Sequence, residues 1–170
     1  RCAKGNADTS VLVTNESYLT DAFGATLSNI WPKGHKSHLL LAVSGGGDSM
    51  AMLHLASCWA RKNNFECSVI TIDHGLRHES AAEAEFVSSV AGGLGLSHQT
   101  VKWSGWDGRG NTQMQAREGR YKLIEKHRGE RSVILTAHTL EDQAETFLLR
   151  LKRGSGVDGL ASMLPKRYVA

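Results

Sequence analysis

The sequence LLLAVSGGGDS, from Leu39 to Ser49, decides the fold of this chain of 170 residues. Its apolar first half predicts a buried β-strand, and the apolar run that follows from Met50 predicts a helix. A strand that leads through adjacent glycines into a helix N-terminus forms an anion site, because the glycines allow backbone N–H groups to face a phosphate. Asp48 indicates a divalent cation, since a carboxylate beside phosphate would otherwise repel it. A plain tight turn is disfavoured, because three adjacent glycines are costly in backbone entropy.

Strand and helix patterns alternate four times from this point onward. Such alternation predicts an α/β fold, a Rossmann-like parallel sheet with right-handed crossovers and helices on both faces. The third strand pattern is the weakest and is expected at a sheet edge. The predicted strands are 39–43, 67–72, 97–103 and 133–136, and the predicted helices are 49–62, 80–94, 112–127 and one that Thr139 caps. The core face of the helix over 80–94 is predicted to consist of Phe86, Val87, Val90, Ala91 and Leu94.

The first 37 residues precede this alternation and are predicted to form a tail, a helix and a connector. Residues 1–14 are expected to be frayed. Apolar residues at helical spacing between Tyr18 and Ile30 predict an amphipathic helix that ends before Pro32. Residues 38–170 then form the α/β domain. The chain begins without Met and stops without a terminating feature, so we expect a piece of a longer protein.

Composition sets broad limits on function. The apolar fraction of 41% and charged fraction of 22% are ordinary for a soluble globular protein. A net charge of +3 permits an RNA partner but fits a solvated basic face equally well. The three cysteines lack metal-site spacing, which argues against zinc or a disulfide framework and fits a reducing cytoplasm. Cys58 and Cys67 are predicted to be small core residues. No run approaches the length of a membrane span.

Three polar clusters follow predicted strands, namely Ser44–Ser49, Asp73–Arg77 and Ala137–Glu145. Because the carboxyl ends of parallel strands meet at one edge of the sheet, we expect these clusters to form one ligand site. Asp73 and His74 suit a nucleotide, although Asp73 followed by Gly75 also fits an Asx-type turn.

Acidic and basic residues in the later helices are further candidates. Asp142 and Glu145 project from one helix face and suit a metal or a substrate ammonium, although acids there also complement the helix dipole. Arg117 suits bidentate phosphate contact, whereas the basic residues from Arg120 onward fit a charged surface. Arg153 could contact a phosphate, although capping by Gly154 explains that segment equally well.

The glycine loop lacks the Walker pattern and resembles the S-G-G-x-D-S loop of the PP-loop family, the N-type ATP pyrophosphatases. Three further motifs, DHGLR, NTQMQAREGRY and AHTLEDQAETFLLRLKRGSGVDGLASM, resemble one branch, the tRNA(Ile)-lysidine synthase family. The similarity extends from Leu39 to Met163 and is more specific in the last two motifs than in the loop.

This resemblance implies an enzyme that uses ATP and Mg²⁺ to adenylate the wobble cytidine of tRNA(Ile) with a CAU anticodon. Free lysine then displaces AMP from C2. Asp48 and Arg117 would be catalytic, Asp48 would hold Mg²⁺, and Asp142 and Glu145 would bind lysine. The residues expected at the ATP are Ser44, Gly45, Gly46, Gly47, Asp48, Ser49, Asp73, His74, Arg117, His138, Arg153 and Gly154.

Two other functions remain open at this point. Another PP-loop adenylating enzyme, such as a tRNA thiolase, usually carries paired cysteines, which this sequence lacks. A nucleotide-binding module without catalysis would hold ATP but release no pyrophosphate.

Family members continue into domains that bind tRNA, and this chain is expected to lack them. The sequence leaves the oligomeric state open, with a homodimer among the options.

Overall fold

The computed structural model describes residues 9–31, 38–73, 75, 80–103, 112–129 and 132–156, with backbone alone for 9–16 and 112–118. Within these ranges the strands are β1 His38–Ala42, β2 Glu66–Asp73, β3 Ser97–Lys102 and β4 Ser132–Thr136. The four strands are parallel and form one sheet in the order β3-β2-β1-β4. His38 of β1 pairs with Glu66 of β2 on one side and with Ser132 of β4 on the other. The predicted α/β class and the edge position of the third strand are confirmed.

Five helices accompany this sheet in the described part of the chain. Their bounds are α1 Thr9–Ile30, α2 Gly47–Lys62, α3 Ser80–Gly93, α4 Thr112–His127 and α5 Leu140–Lys152. The middle three connect successive strands in the predicted alternation. Helices α2 and α3 pack on one face of the sheet and α4 packs on the other, which confirms the prediction of helices on both faces.

The apolar run of β1 is buried on both faces, as expected for a central parallel strand. Leu39 and Leu41 contribute to the larger core, which contains Leu53 of α2 and Val87 of α3. Leu40 points to the opposite face, in the smaller cluster under α4. The strand therefore fixes the position of the loop that follows it.

Helix α1 packs against α2 beside a cluster of aromatic rings. The rings of Trp59 and Phe65 are stacked with centroids 5.0 Å apart, and the ring centroids of Trp31 and Trp59 are 5.2 Å apart. Gly24 permits the close approach of α1, because a Cβ there would lie 2.8 Å from Trp59 Cδ1. The expectation of a frayed segment through residue 14 is wrong from Thr9 onward, where the helix already begins. The apolar residues 11–13 extend the helical pattern toward the N-terminus.

Several residues that the sequence placed in the core are exposed. Phe86 of α3 is 55% exposed, because Ala84, Val87 and Ala91 form the buried stripe of that helix and Phe86 projects beside it. Cys58 is also exposed, because it lies outside the set of buried residues on α2. Cys67 is half-buried. Burial raises the pKa of the Cys67 thiol to about 11.

Helix α5 differs from the other helices in its burial. Within the described part of the chain, none of its residues is buried, and Leu148 and Leu151 are more than half exposed.

No helix among the described residues is long and apolar enough to cross a membrane.

Candidate active site

The glycine loop leaves β1 and turns sharply into α2. Gly45 has a φ of +91°, a left-handed conformation that favours glycine. Gly46 is the N-cap of α2 and makes no side-chain capping bond. The helix begins at Gly47, two residues before the predicted start, because Gly47 and Asp48 already adopt helical backbone. A helix N-terminus without a side-chain cap presents backbone N–H groups to an anion.

Hydroxyl groups stabilise the shape of this loop. Ser49 Oγ donates to the carbonyl oxygen of Gly46 at 2.8 Å and accepts from the backbone N–H of Ser44 at 3.2 Å. The two serine hydroxyls lie 3.2 Å apart. Ser49 is 6% exposed, so its hydroxyl forms the interior of the turn. Ser44 is more exposed, although its hydroxyl lies against that of Ser49.

Helix α3 supports the loop from one side. A Cβ placed on Gly45 would lie 3.3 Å from Cβ of Glu83 and 3.7 Å from Cγ2 of Val87. The loop thus rests directly on the first turns of α3. This contact explains why the chain has glycine at a position that must both turn and approach a neighbouring helix.

Asp48 lies in the first turn of α2 and is exposed. Among the described residues, no group of three or more His, Cys, Asp or Glu side chains is placed to hold a metal ion. A single exposed carboxylate still fits Mg²⁺, which usually keeps several waters and binds one or two carboxylates together with substrate phosphates. Asp48 therefore suits a cation that arrives with a nucleotide.

The end of β2 forms a tight turn. Asp73 Oδ1 accepts from the backbone N–H of Gly75 at 2.8 Å, and Gly75 has a φ of +60°. This is the Asx-type turn that the sequence left as one alternative. Asp73 is 8% exposed, so the residue that closes this turn is buried at the end of β2. The candidate His74 lies outside the described residues.

The end of β4 leads into a capping box at the start of α5. Thr139 Oγ1 accepts from the N–H of Asp142 at 3.3 Å, and Asp142 Oδ2 accepts from the N–H of Thr139 at 2.8 Å. The predicted cap at Thr139 is confirmed. Asp142 has this structural role in addition to any ligand role. Its side chain is 47% exposed, and Glu145, three residues later, is exposed.

His138 stands between two helices at this edge. Its Nε2 lies 3.2 Å from the phenol oxygen of Tyr121 on α4. Its Nδ1 lies 3.8 Å from Asp142 Oδ2 on α5. Tyr121 is not among the residues predicted at the site, although its spacing of four residues from Arg117 on one helix is a signal that could have indicated it.

Arg153 and Gly154 lie at the other end of α5. Ser155 N–H donates to the Arg150 carbonyl at 3.1 Å, and Gly154 N–H donates to that of Leu151 at 3.0 Å. With Gly154 at a φ of +71°, these bonds form a Schellman motif. Capping thus accounts for Gly154, and nucleotide contact by either residue stays a prediction. Arg117 lies within α4, but its side chain lies outside the description.

The strand order brings the polar clusters together. The clusters after residues 43, 72 and 136 follow β1, β2 and β4, which are adjacent in the sheet. Successive connections run to β2 and β3 on one side of β1, and the chain then returns to β4 on the other side. The carboxyl end of β1 therefore lies at the switch in strand order, where open α/β sheets bind ligands.

Comparison with known proteins gives the class to which this fold and loop belong. A family model described as a PP-loop domain matches residues 19–170. The chain belongs to the PP-loop family.

More specific likeness comes from individual relatives. The chain is 53% identical over 130 residues to a tRNA(Ile)-lysidine synthase of Ruegeria pomeroyi, which covers 75% of this chain and 31% of that protein. It is 47% identical over 139 residues to one from Wolbachia pipientis wMel, covering 79% and 32%. It is 49% identical over 129 residues to one from Rhodopseudomonas palustris, covering 74% and 37%. The chain thus spans about a third of the length of these curated relatives.

A solved structure shares the fold. The U34-tRNA thiolase NcsA from Methanococcus maripaludis, with its 4Fe-4S cluster, superposes with a TM-score of 0.64 at 16% identity. The match covers 84% of this chain and 52% of the thiolase. At this identity the likeness concerns the fold alone.

Proposed function

We propose that this chain carries the adenylating and ligating site of a tRNA(Ile)-lysidine synthase. The reaction joins lysine to C2 of the wobble cytidine, position 34, in tRNA(Ile) with a CAU anticodon. The supporting observation is the convergence of three polar strand ends in a chain that is 47–53% identical to three enzymes of that name. ATP, free L-lysine and tRNA(Ile) are the proposed substrates.

The phosphates of ATP are assigned to the loop Ser44–Ser49 and the first turn of α2. The uncapped helix N-terminus supplies N–H donors and favourable potential for negative charge. Mg²⁺, held by Asp48 and the phosphates, would neutralise charge on the pyrophosphate that leaves. Arg117 of α4 is proposed to contact the triphosphate or the adenylate, because a guanidinium matches phosphate oxygens in a bidentate manner.

The ammonium of lysine is assigned to Asp142 and Glu145. They lie three residues apart in the first turns of α5, so their carboxylates share one side of the helix. A carboxylate has about four acceptor sites, so the capping bond of Asp142 is compatible with a second partner. Charge-assisted bonds of this kind are roughly twice as strong as neutral ones, which favours lysine over uncharged amino acids.

The chemistry proceeds in two displacements. The oxygen on C2 of the cytidine attacks the α-phosphorus of ATP, a C–O–P linkage forms, and pyrophosphate leaves. The ε-ammonium of lysine gives one proton to solvent and becomes a neutral amine. This amine attacks C2, the bond from C2 to the AMP oxygen breaks so that AMP leaves, and the new C2–N nitrogen gives a second proton to solvent. No covalent bond to the enzyme forms, so the protein contributes positioning and charge stabilisation.

Cysteine chemistry does not favour the thiolase alternative. The chain has three cysteines, at positions 2, 58 and 67, with no paired spacing. Unpaired thiols at Cys58 and Cys67 support a reducing, cytoplasmic location as part of this proposal.

The decisive experiment uses the full-length protein with ATP, radiolabelled lysine and tRNA(Ile) bearing CAU. We expect label in the tRNA, one pyrophosphate per lysine incorporated, and no label in the same tRNA with U at position 34. Incorporation of sulfur instead of lysine would favour a thiolase. ATP binding without pyrophosphate release would favour a binding module.

Three charge-removing variants test the site assignments. Asp48→Ala is expected to abolish Mg²⁺-dependent pyrophosphate release without loss of stability, because Asp48 is exposed.

Glu145→Gln is expected to raise the KM for lysine about 10- to 100-fold, the effect of losing one bond to a charged group. Glu141→Gln changes an exposed acid one turn earlier on α5; it is the matched control and should leave that KM unchanged. If Glu145→Gln lowers ATP affinity equally, the acid is a Mg²⁺ ligand and not part of a lysine site.

A further inference from the structure

Tyr121 is a polar residue at the candidate site with no role in the reaction proposed above. It is on α4, and His138 is at the end of β4, so their contact joins two elements that are distant in sequence. The phenol oxygen lies 3.2 Å from His138 Nε2, within hydrogen-bond reach. The partly exposed Tyr121 reaches the same edge of the sheet as the polar strand ends.

The second ring nitrogen of His138 faces a carboxylate. Nδ1 lies 3.8 Å from Asp142 Oδ2, which is too long for a hydrogen bond but close enough for electrostatic attraction. Negative charge on this side favours a proton on Nδ1. Nε2 then carries the lone pair and accepts from the Tyr121 hydroxyl.

Asp142 Oδ2 thus has two polar neighbours. The N–H of Thr139 holds this oxygen at 2.8 Å through the capping box, and Nδ1 of the His138 imidazole lies 3.8 Å from the same oxygen. A change in the His138 ring would alter the position and electrostatics of this carboxylate. The ring in turn is held by the phenol of Tyr121.

We propose that Tyr121 is a positioning residue that fixes the ring and tautomer of His138 and thereby orients Asp142 for the lysine ammonium. This inference rests on the proposed function for the identity of the amine. It adds a residue of α4 to the lysine subsite. Since Arg117 lies one helical turn before Tyr121, the same helix connects the phosphate and lysine ends of the reaction.

Tyr121→Phe removes the hydroxyl and keeps the ring. In the full-length protein we expect the KM for lysine to rise about threefold to tenfold, the effect of one neutral hydrogen bond. The KM for ATP and the urea midpoint should stay within error of the wild type. Tyr18→Phe is the matched control, because Tyr18 lies on α1 and is 72% exposed.

A double-mutant cycle with His138→Gln separates positioning from independent contact. If Tyr121 acts through His138, Tyr121→Phe should change the KM for lysine by less than twofold in the His138→Gln background. Effects that multiply in the double variant would overturn the proposal. An equal rise in both KM values together with a lower urea midpoint would also overturn it, since that result indicates a structural role only.

Nitrogen-15 spectra of the histidine rings give a readout that needs no lysine transfer. At pH 8 the His138 signal, assigned by its loss in His138→Gln, should show the Nδ1–H tautomer in the wild type and a mixture in Tyr121→Phe. An unchanged tautomer would overturn the positioning role. If the wild type transfers no lysine, the proposed function fails, while the spectra still decide whether Tyr121 sets the His138 ring.

Discussion

Replacing Gly45 and Gly47 separately by alanine tests how the glycine loop is built. The two residues are two positions apart, but the structure gives them opposite tolerance for a side chain. Gly45 has a φ of +91°, and its added Cβ would meet Glu83 Cβ at 3.3 Å. Gly47 is the first residue of α2, and nothing lies within 4 Å of its added Cβ.

The expected magnitude follows from these two environments. An alanine at positive φ costs about 1–2 kcal/mol, and the close contact with α3 adds to this cost. Both variants gain about 0.4–1 kcal/mol from a stiffer unfolded chain, and this gain cancels in the comparison. Gly45→Ala should therefore have a free energy of unfolding at least about 1–2 kcal/mol lower than Gly47→Ala.

Urea unfolding followed by circular dichroism measures the difference, provided that both variants have the same m value. Thermal unfolding should show a Tm lower by about 2–8 °C for Gly45→Ala in a domain of this size. Equal stabilities, or a less stable Gly47→Ala, would refute the explanation based on φ and on the contact with α3. ATP titration adds a second measurement, because Gly47→Ala should bind ATP more weakly although its free energy of unfolding does not fall below that of the wild type.

Three further variants test other parts of the fold. Burial lowers the pKa of His98 in the folded protein, so the unfolded chain takes up a proton more readily than the folded chain does. The free energy of unfolding should therefore fall as the pH drops below about 6.5, the ordinary pKa of histidine. His98→Gln, which can still bond Thr71, should flatten that fall in urea titrations between pH 5 and 8. Gly119→Ala should lower the free energy of unfolding by about 1–3 kcal/mol, because the added Cβ would lie 2.8 Å from Trp103 Cδ1; normal urea stability would show that the indole moves freely. Ser49→Ala should cost about 1–3 kcal/mol because it removes the hydroxyl that accepts from the Ser44 N–H inside the turn, and a calorimetric Tm equal to that of the wild type would contradict this.

The alternation of elements was predictable from sequence because each strand and helix leaves a local pattern. The strand patterns at 39–43 and 133–136 lie within one residue of β1 and β4. The helix over 112–127 has the predicted bounds. These features depend on periodicity within a short window, which a single sequence contains.

Features that depend on tertiary contact were not predictable in the same way. Tyr121 looked like one more residue in a helical spacing, since its partner His138 is brought near only by the packing of α4 beside the end of β4. The sequence predicts Ser49 at the ATP phosphates but gives no sign of its second role, in which the buried hydroxyl bonds the loop itself. Phe86 was assigned to the core because an aromatic residue in an apolar stripe usually packs inward, but smaller neighbours form that contact.

The order β3-β2-β1-β4 also has a consequence for how the chain folds during synthesis. Strands β1, β2 and β3 emerge in sequence and can pair as they appear, but β1 meets β4 only across 94 residues, the separation of His38 and Ser132. Closing the longer loop costs about 1 kcal/mol more than closing the β1–β2 loop, because the entropy grows only with the logarithm of length. The free-energy cost of this late β1–β4 pairing is therefore small, but β1 must wait for β4 until the intervening chain has been synthesised. Until β4 arrives, the Leu39–Leu41 strand is an unprotected apolar edge, the kind of surface on which nascent chains aggregate.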